Sequence, residues 1–378
     1  MKRVFILTGE PSGDKLAAKV VTKLRDKNSK IEFLCLGGEN LTSLGIKSIL
    51  NLHEVTYLGF TKVLRNIFKI KKNINYASKK IIEFNPDLLF SVDSPDFTLR
   101  IAEIVKKKNP KIKTVHFVAP QVWVWREGRV KKIKKFIDHI FLLFKFEKKY
   151  WEKEEVSCEF VGHPLLESNE KSKIDVNQLI GRNKAIISIF PGSRISEVNT
   201  LMPILIDFVK LMNKKHQDFL FVFHSTQSLR TKVEDFVKQS ELKNADVISD
   251  EKIKNHILKK SVFAVTKSGT ISLEICNQKI PSIIIYKMNL INFLLIKMLV
   301  KIKYANIINI AANKMIIPEL LQSKCNAKNI YNKVSEFIEN QNMIENQIKE
   351  TEKILDSFKT KTLPTDLAAD SLRKFISF

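Results

Sequence analysis

The chain has 378 residues, with 64 basic and 40 acidic side chains for a formal charge of +24, and it is 44% hydrophobic and 28% charged. That composition excludes a disordered or fibrous chain, and at about 100–200 residues per domain the length excludes a small disulfide-stapled scaffold and favours two domains. The basic excess is mostly lysine in a chain with only 11 Gly and 11 Pro; it fits an AT-rich coding sequence as well as attraction to anionic membrane or nucleic acid, so charge alone selects no partner.

From the N-terminus, the apolar run Val4–Leu7 is too short for a signal-peptide core of about 7–15 residues, which predicts a cytoplasmic protein. It reads as a strand, followed by a helix from Ser12, a strand Ile31–Leu36, and strands Leu88–Val92 and Thr114–Val118. A second cycle follows the polar stretch Glu167–Lys184: strand Ala185–Phe190, helix from Ser196, strands Phe219–Phe223 and Val262–Val265, helix from Thr270, and strand Ile280–Ile285. Short continuous Val/Ile/Leu/Phe runs alternating with helices predict parallel strands buried on both faces. The expected class is therefore α/β with two doubly wound domains, 1–166 and 185–355, a linker at 167–184 and a helical end at 356–378. The longest apolar stretch, Met288–Val300, is interrupted by Lys297 and falls short of the roughly 20 residues that span a bilayer. Cys35, Cys158, Cys276 and Cys325 form no CxxC pair and no Cys/His zinc spacing, so reduced thiols and no metal centre are expected.

In such sheets ligands sit where strands give way to helices. The first such turn, Thr8-Gly9-Glu10-Pro11-Ser12-Gly13-Asp14, has small residues that expose backbone N–H groups, but it is not the GxGxxG fingerprint of a dinucleotide site. The turn Phe190-Pro191-Gly192-Ser193-Arg194 sets N–H groups of Gly192 and Ser193 at a helix start beside a forked guanidinium, a combination suited to phosphate oxygens. In Lys267-Ser268-Gly269-Thr270-Ile271-Ser272-Leu273-Glu274, residues Ser268, Gly269 and Thr270 can cradle a diphosphate. Glu274 can take ribose hydroxyls or pair with a lysine on the helix face. Two anion turns without a Walker A sequence suggest a nucleoside diphosphate that departs as a leaving group. In Val92-Asp93-Ser94-Pro95-Asp96-Phe97 a carboxylate can act as general base toward a hydroxyl or merely cap the helix.

These residues carry a resemblance. GEPSGD (9–14), VDSPDF (92–97), VAPQVWVWREGRVKKI (118–133), FVGHPLLE (160–167), FPGSRISEV (190–198), TKSGTISLE (266–274) and PELLQ (318–322), in this order, resemble the bacterial lipid-A-disaccharide synthases over nearly the whole chain. The resemblance implies a GT-B glycosyltransferase fold, two Rossmann-like domains facing across a cleft, with the C-terminal helix packing back on the first. It implies an inverting, metal-independent transfer of 2,3-diacylglucosamine from UDP-2,3-diacylglucosamine to the 6-hydroxyl of 2,3-diacylglucosamine 1-phosphate, giving a β-1,6 disaccharide 1-phosphate and UDP with no cofactor. By the motif match Asp96 is the base, and Arg194 with Ser268, Gly269 and Thr270 holds the diphosphate. Ser12, Gly13 and Asp14 lie on the acceptor side, and Asn309 aligns with an asparagine that reaches the nucleotide where dimers exchange C-terminal segments. Ile308 and Lys314 depart from the Pro and Arg of that last motif, and a lysine keeps charge without bidentate geometry.

Both lipid substrates would lie at a membrane, which implies peripheral attachment to the cytoplasmic face of the inner membrane. Phe60, Val63, Leu64, Ile67 and Phe68 form one helical stripe among lysines, suited either to an anionic bilayer or to packing on the core; Leu290–Val300 reads likewise. Arg129, Lys131, Lys132, Lys134 and Lys135 beside Trp123 and Trp125 would suit nucleic acid in isolation, but their spacing is helical and the anion turns sit elsewhere, so no nucleic acid is expected. The enzymatic alternatives are other GT-B members, a UDP-sugar epimerase or a lipid-linked N-acetylglucosamine transferase. His163, in Gly162-His163-Pro164, reads as structural.

Overall fold

The computed structural model describes residues 1–27, 30–56, 66–125, 127–167, 184–289 and 302–376, together with 293, 298 and 300. The chain divides into two compact units, Met1–Glu167 with Phe358–Phe378, and Ser168–Ser357.

The first unit carries strands β1 (Lys2–Thr8), β2 (Ile31–Leu36), β3 (Leu88–Val92), β4 (Lys113–Phe117), β5 (His139–Leu142) and β6 (Cys158–Phe160), with helices α1 (Pro11–Lys27), α2 (Ile67–Phe84) and α3 (Pro95–Lys108). All strand pairs are parallel, in the order β2-β1-β3-β4-β5-β6. Side chains alternate across a strand, and β1 shows the consequence. Phe5 and Leu7 pack with Ile74, Ala77 and Ile81 of α2 and Leu99 and Ala102 of α3, while Val4 and Ile6 pack against the opposite layer with Ala17, Val20 and Leu24 of α1. Both faces being covered explains why these strands read as unbroken apolar runs rather than alternating ones.

The second unit repeats the scheme with β7 (Ala185–Phe190), β8 (Phe219–His224), β9 (Ala245–Ile248), β10 (Ser261–Lys267), β11 (Ser282–Tyr286) and β12 (Glu319–Leu321). Its helices are α4 (Ile195–Asn213), α5 (Arg230–Gln239), α6 (Glu251–Lys260), α7 (Thr270–Asn277), α8 (Ala327–Ile338) and α9 (Gln341–Ser357). The parallel order is β12-β11-β10-β7-β8-β9. Ile187 and Ile189 face α4 and α8 through Val198, Leu205, Ile330 and Val334, and Ile186 faces Ile257 of α6.

The last helix, α10 (Pro364–Ile376), belongs to the first unit. Its Ala368, Ala369, Leu372 and Ile376 join the α1 side of that core, Lys23 pairs with Asp366 at 3.4 Å, and Phe358 meets Phe144 edge-on at 4.7 Å. His163 packs on the same Phe144 with its ring tilted by 39° at 5.4 Å, and its Nδ1 accepts the Leu165 N–H at 3.2 Å. Burial pulls its pKa down to about 4, so it is a neutral structural residue.

In each unit the order reverses beside the first strand: β2 lies on one side of β1 and β3 on the other, as β8 and β10 flank β7. These are the topological switch points, where ligands of doubly wound sheets bind. Register sets the detail: Thr8 lies opposite Val92 and Phe190 opposite Thr266. Each neighbouring pair of strands therefore ends level and delivers two turns side by side.

Candidate active site

At the first switch point the turn after β1 packs on the turn after β3. The approach is close enough that a Cβ on Gly13 would meet the Val92 carbonyl oxygen at 2.9 Å, so only glycine fits there. The β3–α3 turn is strained: Asp93 and Ser94 both sit at positive φ, 56° and 46°, and next to it Val118 has φ 73°. A β-branched residue at positive φ costs on the order of 1–3 kcal/mol and is kept only where the surroundings enforce it. Here the Asp93 N–H donates to Phe117 O at 2.9 Å and Thr98 Oγ1 donates to Asp93 O at 2.8 Å.

The two aspartates of this turn have different employment. Asp93 is spent inside it, Oδ1 accepting the Ser94 N–H at 2.7 Å and Oδ2 accepting from Ser12 Oγ at 3.1 Å. Asp96 stands in the first turn of α3, behind Pro95, with its side chain 74% exposed and Oδ1 held 3.0 Å from Arg129 Nη2. The same Arg129 nitrogen donates to Pro95 O at 3.3 Å, tying guanidinium and carboxylate to one spot. No local pattern in the chain points to this partner. His116 is no rival base, since it is fully buried, bonded to Ser91 Oγ at 2.8 Å, and held by burial at about 3.

Asp14 is among the residues expected on the acceptor side. It is 1% exposed, and its carboxylate accepts from Gly38 N (2.7 Å), Asn40 N (2.9 Å) and Asn40 Nδ2 (2.9 Å). It therefore fixes the turn after β2. That turn borders a cavity of about 430 Å³ whose lining includes Pro11, Asp14, Gly38, Ser48, Asn51 and His53; Ser12 is exposed.

At the second switch point Gly192 has φ +117°, a conformation that favours glycine, and Ser193 and Arg194 are exposed before α4. The neighbouring turn brings Lys267 across: its Nζ lies 2.7 Å from Glu197 Oε1, while Glu197 Oε2 accepts the Ser193 N–H at 3.1 Å. Gly269 and Thr270 are exposed at the start of α7. Ser268 donates its hydroxyl proton to Ala305 O at 2.7 Å, which leaves its backbone and not its O–H for a phosphate. Glu274 pairs with Lys254 at 2.9 Å, the helix-face alternative.

Asn309 corrects an expectation. It is fully buried; Nδ2 donates to Ile317 O (2.7 Å) and Glu319 Oε1 (2.8 Å), and Oδ1 accepts from Ile316 N (2.8 Å) and Ile317 N (2.9 Å). All four hydrogen-bonding positions of the amide are used, so none is left for a nucleotide. Lys314 pairs with Glu350 at 3.3 Å.

Of the expected membrane stripe, Phe60, Val63 and Leu64 lie outside the described residues, as does most of 290–300. Ile67 and Phe68 open α2 at 50% and 85% exposure, whereas Ile74 and Ile81 further along the helix are buried. Among the described residues no helix is long and apolar enough to cross a membrane. Trp123 is 6% exposed and donates to buried Glu147 at 3.2 Å, so it offers no face on which a base could stack.

Residues 4–369 match the family model of lipid-A-disaccharide synthetases. Lipid-A-disaccharide synthases of Rickettsia bellii and Rickettsia typhi are 34% and 33% identical, each over 99% of this chain and 99% of the relative. Among solved structures, a co-structure of S. aureus MnaA with UDP aligns with TM-score 0.69 at 15% identity, covering 99% of this chain and 97% of the other. The UDP-GlcNAc 2-epimerase of Neisseria meningitidis bound to UDP-GlcNAc aligns with TM-score 0.65 at 16% identity, covering 99% and 100%. At such identities these two likenesses speak for the fold alone, two Rossmann-like units of the GT-B type.

Proposed function

This chain belongs to the lipid-A-disaccharide synthases, glycosyltransferases of lipid A biosynthesis, and from that premise we propose that it moves 2,3-diacylglucosamine from UDP-2,3-diacylglucosamine to the 6-hydroxyl of 2,3-diacylglucosamine 1-phosphate. The observation that carries this reading is the division of labour between the switch points: an exposed, oriented carboxylate in one unit, and two cation-bearing turns in the other.

In the first unit Asp96 removes the proton of the acceptor hydroxyl, and Arg129 fixes the direction in which its carboxylate points. The freed oxygen attacks the anomeric carbon from the side opposite UDP, so the configuration inverts and the glycosidic bond forms as the bond to the diphosphate breaks. Ser12 and Gly13, on the neighbouring turn, border the acceptor. In the second unit the negative charge gathering on the departing UDP meets Arg194 and the backbone N–H groups of Gly192, Ser193, Gly269 and Thr270. Prearranged donors and cations of this kind stabilise developing charge without reorganisation, which supports a metal-independent reaction. Ile67 and Phe68, flanked by Lys69, Lys71 and Lys72, are suited to the surface of an anionic bilayer.

The test is UDP release from purified protein given the donor with and without the acceptor, in excess EDTA. Acceptor-dependent release is expected; release that needs no acceptor, or that stops with the chelator, overturns the reading.

A further inference from the structure

Glu197 has no role in the reading above, yet it lies at the centre of the donor turns. It stands in the first turn of α4, whose N-cap is Arg194. In a capping box the glutamate three residues into the helix reaches back to the N–H of the cap residue itself. Glu197 reaches one residue further, to the Ser193 N–H at 3.1 Å, and spends its other oxygen on Lys267 of β10 at 2.7 Å, with Arg194 Nη1 3.8 Å away. Helix capping requires neither contact. The side chain folds over Gly192, with its Cβ 2.8 Å from where a Cβ on that glycine would stand, and it is only 12% exposed against 19% for the Lys267 side chain.

The electrostatics explain the arrangement. Two cations and a turn N–H converge here from two strands, and a half-buried cation without a counter-ion is costly. One carboxylate answers the Lys267 ammonium and the Ser193 N–H with one oxygen each, and the exposed Arg194 guanidinium stands 3.8 Å from it. A diphosphate carries more charge and more oxygens, and its hydrogen bonds to cations are of the same charge-assisted kind. We propose that Glu197 is a stand-in anion: without ligand it occupies the place of a donor phosphate, and a nucleoside diphosphate must displace it, whereupon Lys267 becomes an additional phosphate-binding cation. This rests on the reading of the turns as the donor site.

Two measurements on the full chain test it. By calorimetry with UDP, Glu197→Gln removes the competing charge while keeping an acceptor for Ser193, and at least threefold tighter binding is expected. Lys267→Gln should weaken UDP at least fivefold, and in the double variant the tightening should vanish. In the wild type, coupling of Glu197 to an amine by a water-soluble carbodiimide, read by mass spectrometry, should rise at least twofold on adding UDP, a readout that needs no variant to fold. Unchanged or weaker UDP binding by a folded Glu197→Gln, or labelling that UDP leaves unchanged or lowers, overturns the stand-in role while the donor site stands. Failure of the wild type to bind UDP overturns both.

Discussion

Asn309 separates a ligand contact from a scaffold contact. Replacing it by alanine leaves the N–H and the carbonyl of Ile317 without their partners and takes one donor from Glu319, while the Ile316 N–H keeps Lys314 O at 3.1 Å. Glu319 still accepts from Ala305 N and Asn306 N, at 2.8 and 2.9 Å, so it is not abandoned. The two orphaned backbone groups belong to fully buried Ile317, and each costs about 1–3 kcal/mol when buried unpaired. Allowing for partial relaxation, the loss is about 2–4 kcal/mol, within the range of a broken buried network. At about 2–4 °C per kcal/mol for a unit of this size, the second unit should melt about 4–16 °C lower. The assay is differential scanning calorimetry, paired with UDP titration well below the transition, where affinity should stay within twofold of wild type. An Asn309→Ala protein that melts with the wild type yet has lost UDP would refute the argument and restore the asparagine as a nucleotide contact.

Asp96→Asn should reduce turnover by about 10²–10⁴, the usual worth of a general base, with UDP affinity unchanged by calorimetry; near-normal turnover would remove Asp96 as base. Arg129→Met leaves the carboxylate in place but unoriented, so kcat should fall about tenfold or more while UDP affinity holds, and Arg129→Lys should restore part of the loss. Glu147 lies 2% exposed, and burial pushes its pKa up to about 7 despite the N–H groups of Phe144, Trp123 and Leu143 that favour its charge. The folded protein therefore binds this proton more tightly than the unfolded chain does, where the value is about 4.3. That stabilisation is complete below about pH 4 and drains away as pH rises to about 7. Urea titrations should show wild type losing stability relative to Glu147→Gln by up to about 3 kcal/mol across that window; a pH-independent difference would count against a protonated Glu147.

The reading order of the site was written locally. Apolar runs such as Val4–Leu7 and Ala185–Phe190 could only be strands buried on both sides, and the glycines after them marked the turns, because periodicity and turn chemistry act over a few neighbouring residues. Strands β5, β6, β9 and β12, of 3 or 4 residues, were too short to announce themselves this way. The motifs that carried the family resemblance pointed to Asp96 in the turn after β3 and Arg194 in the turn after β7. What those side chains touch was a different matter. Arg129 reaches Asp96 from beyond β4, Lys267 meets Glu197 across 70 residues, and Asp14 turns inward to Gly38 and Asn40. A charged residue in a ligand turn and one that ties the scaffold look alike in sequence, since either can satisfy its hydrogen bonds from segments far along the chain. Only the order and register of the strands decide which partners arrive, so the sequence alone determined where chemistry could sit, and tertiary structure decided which carboxylates and cations are left to perform it.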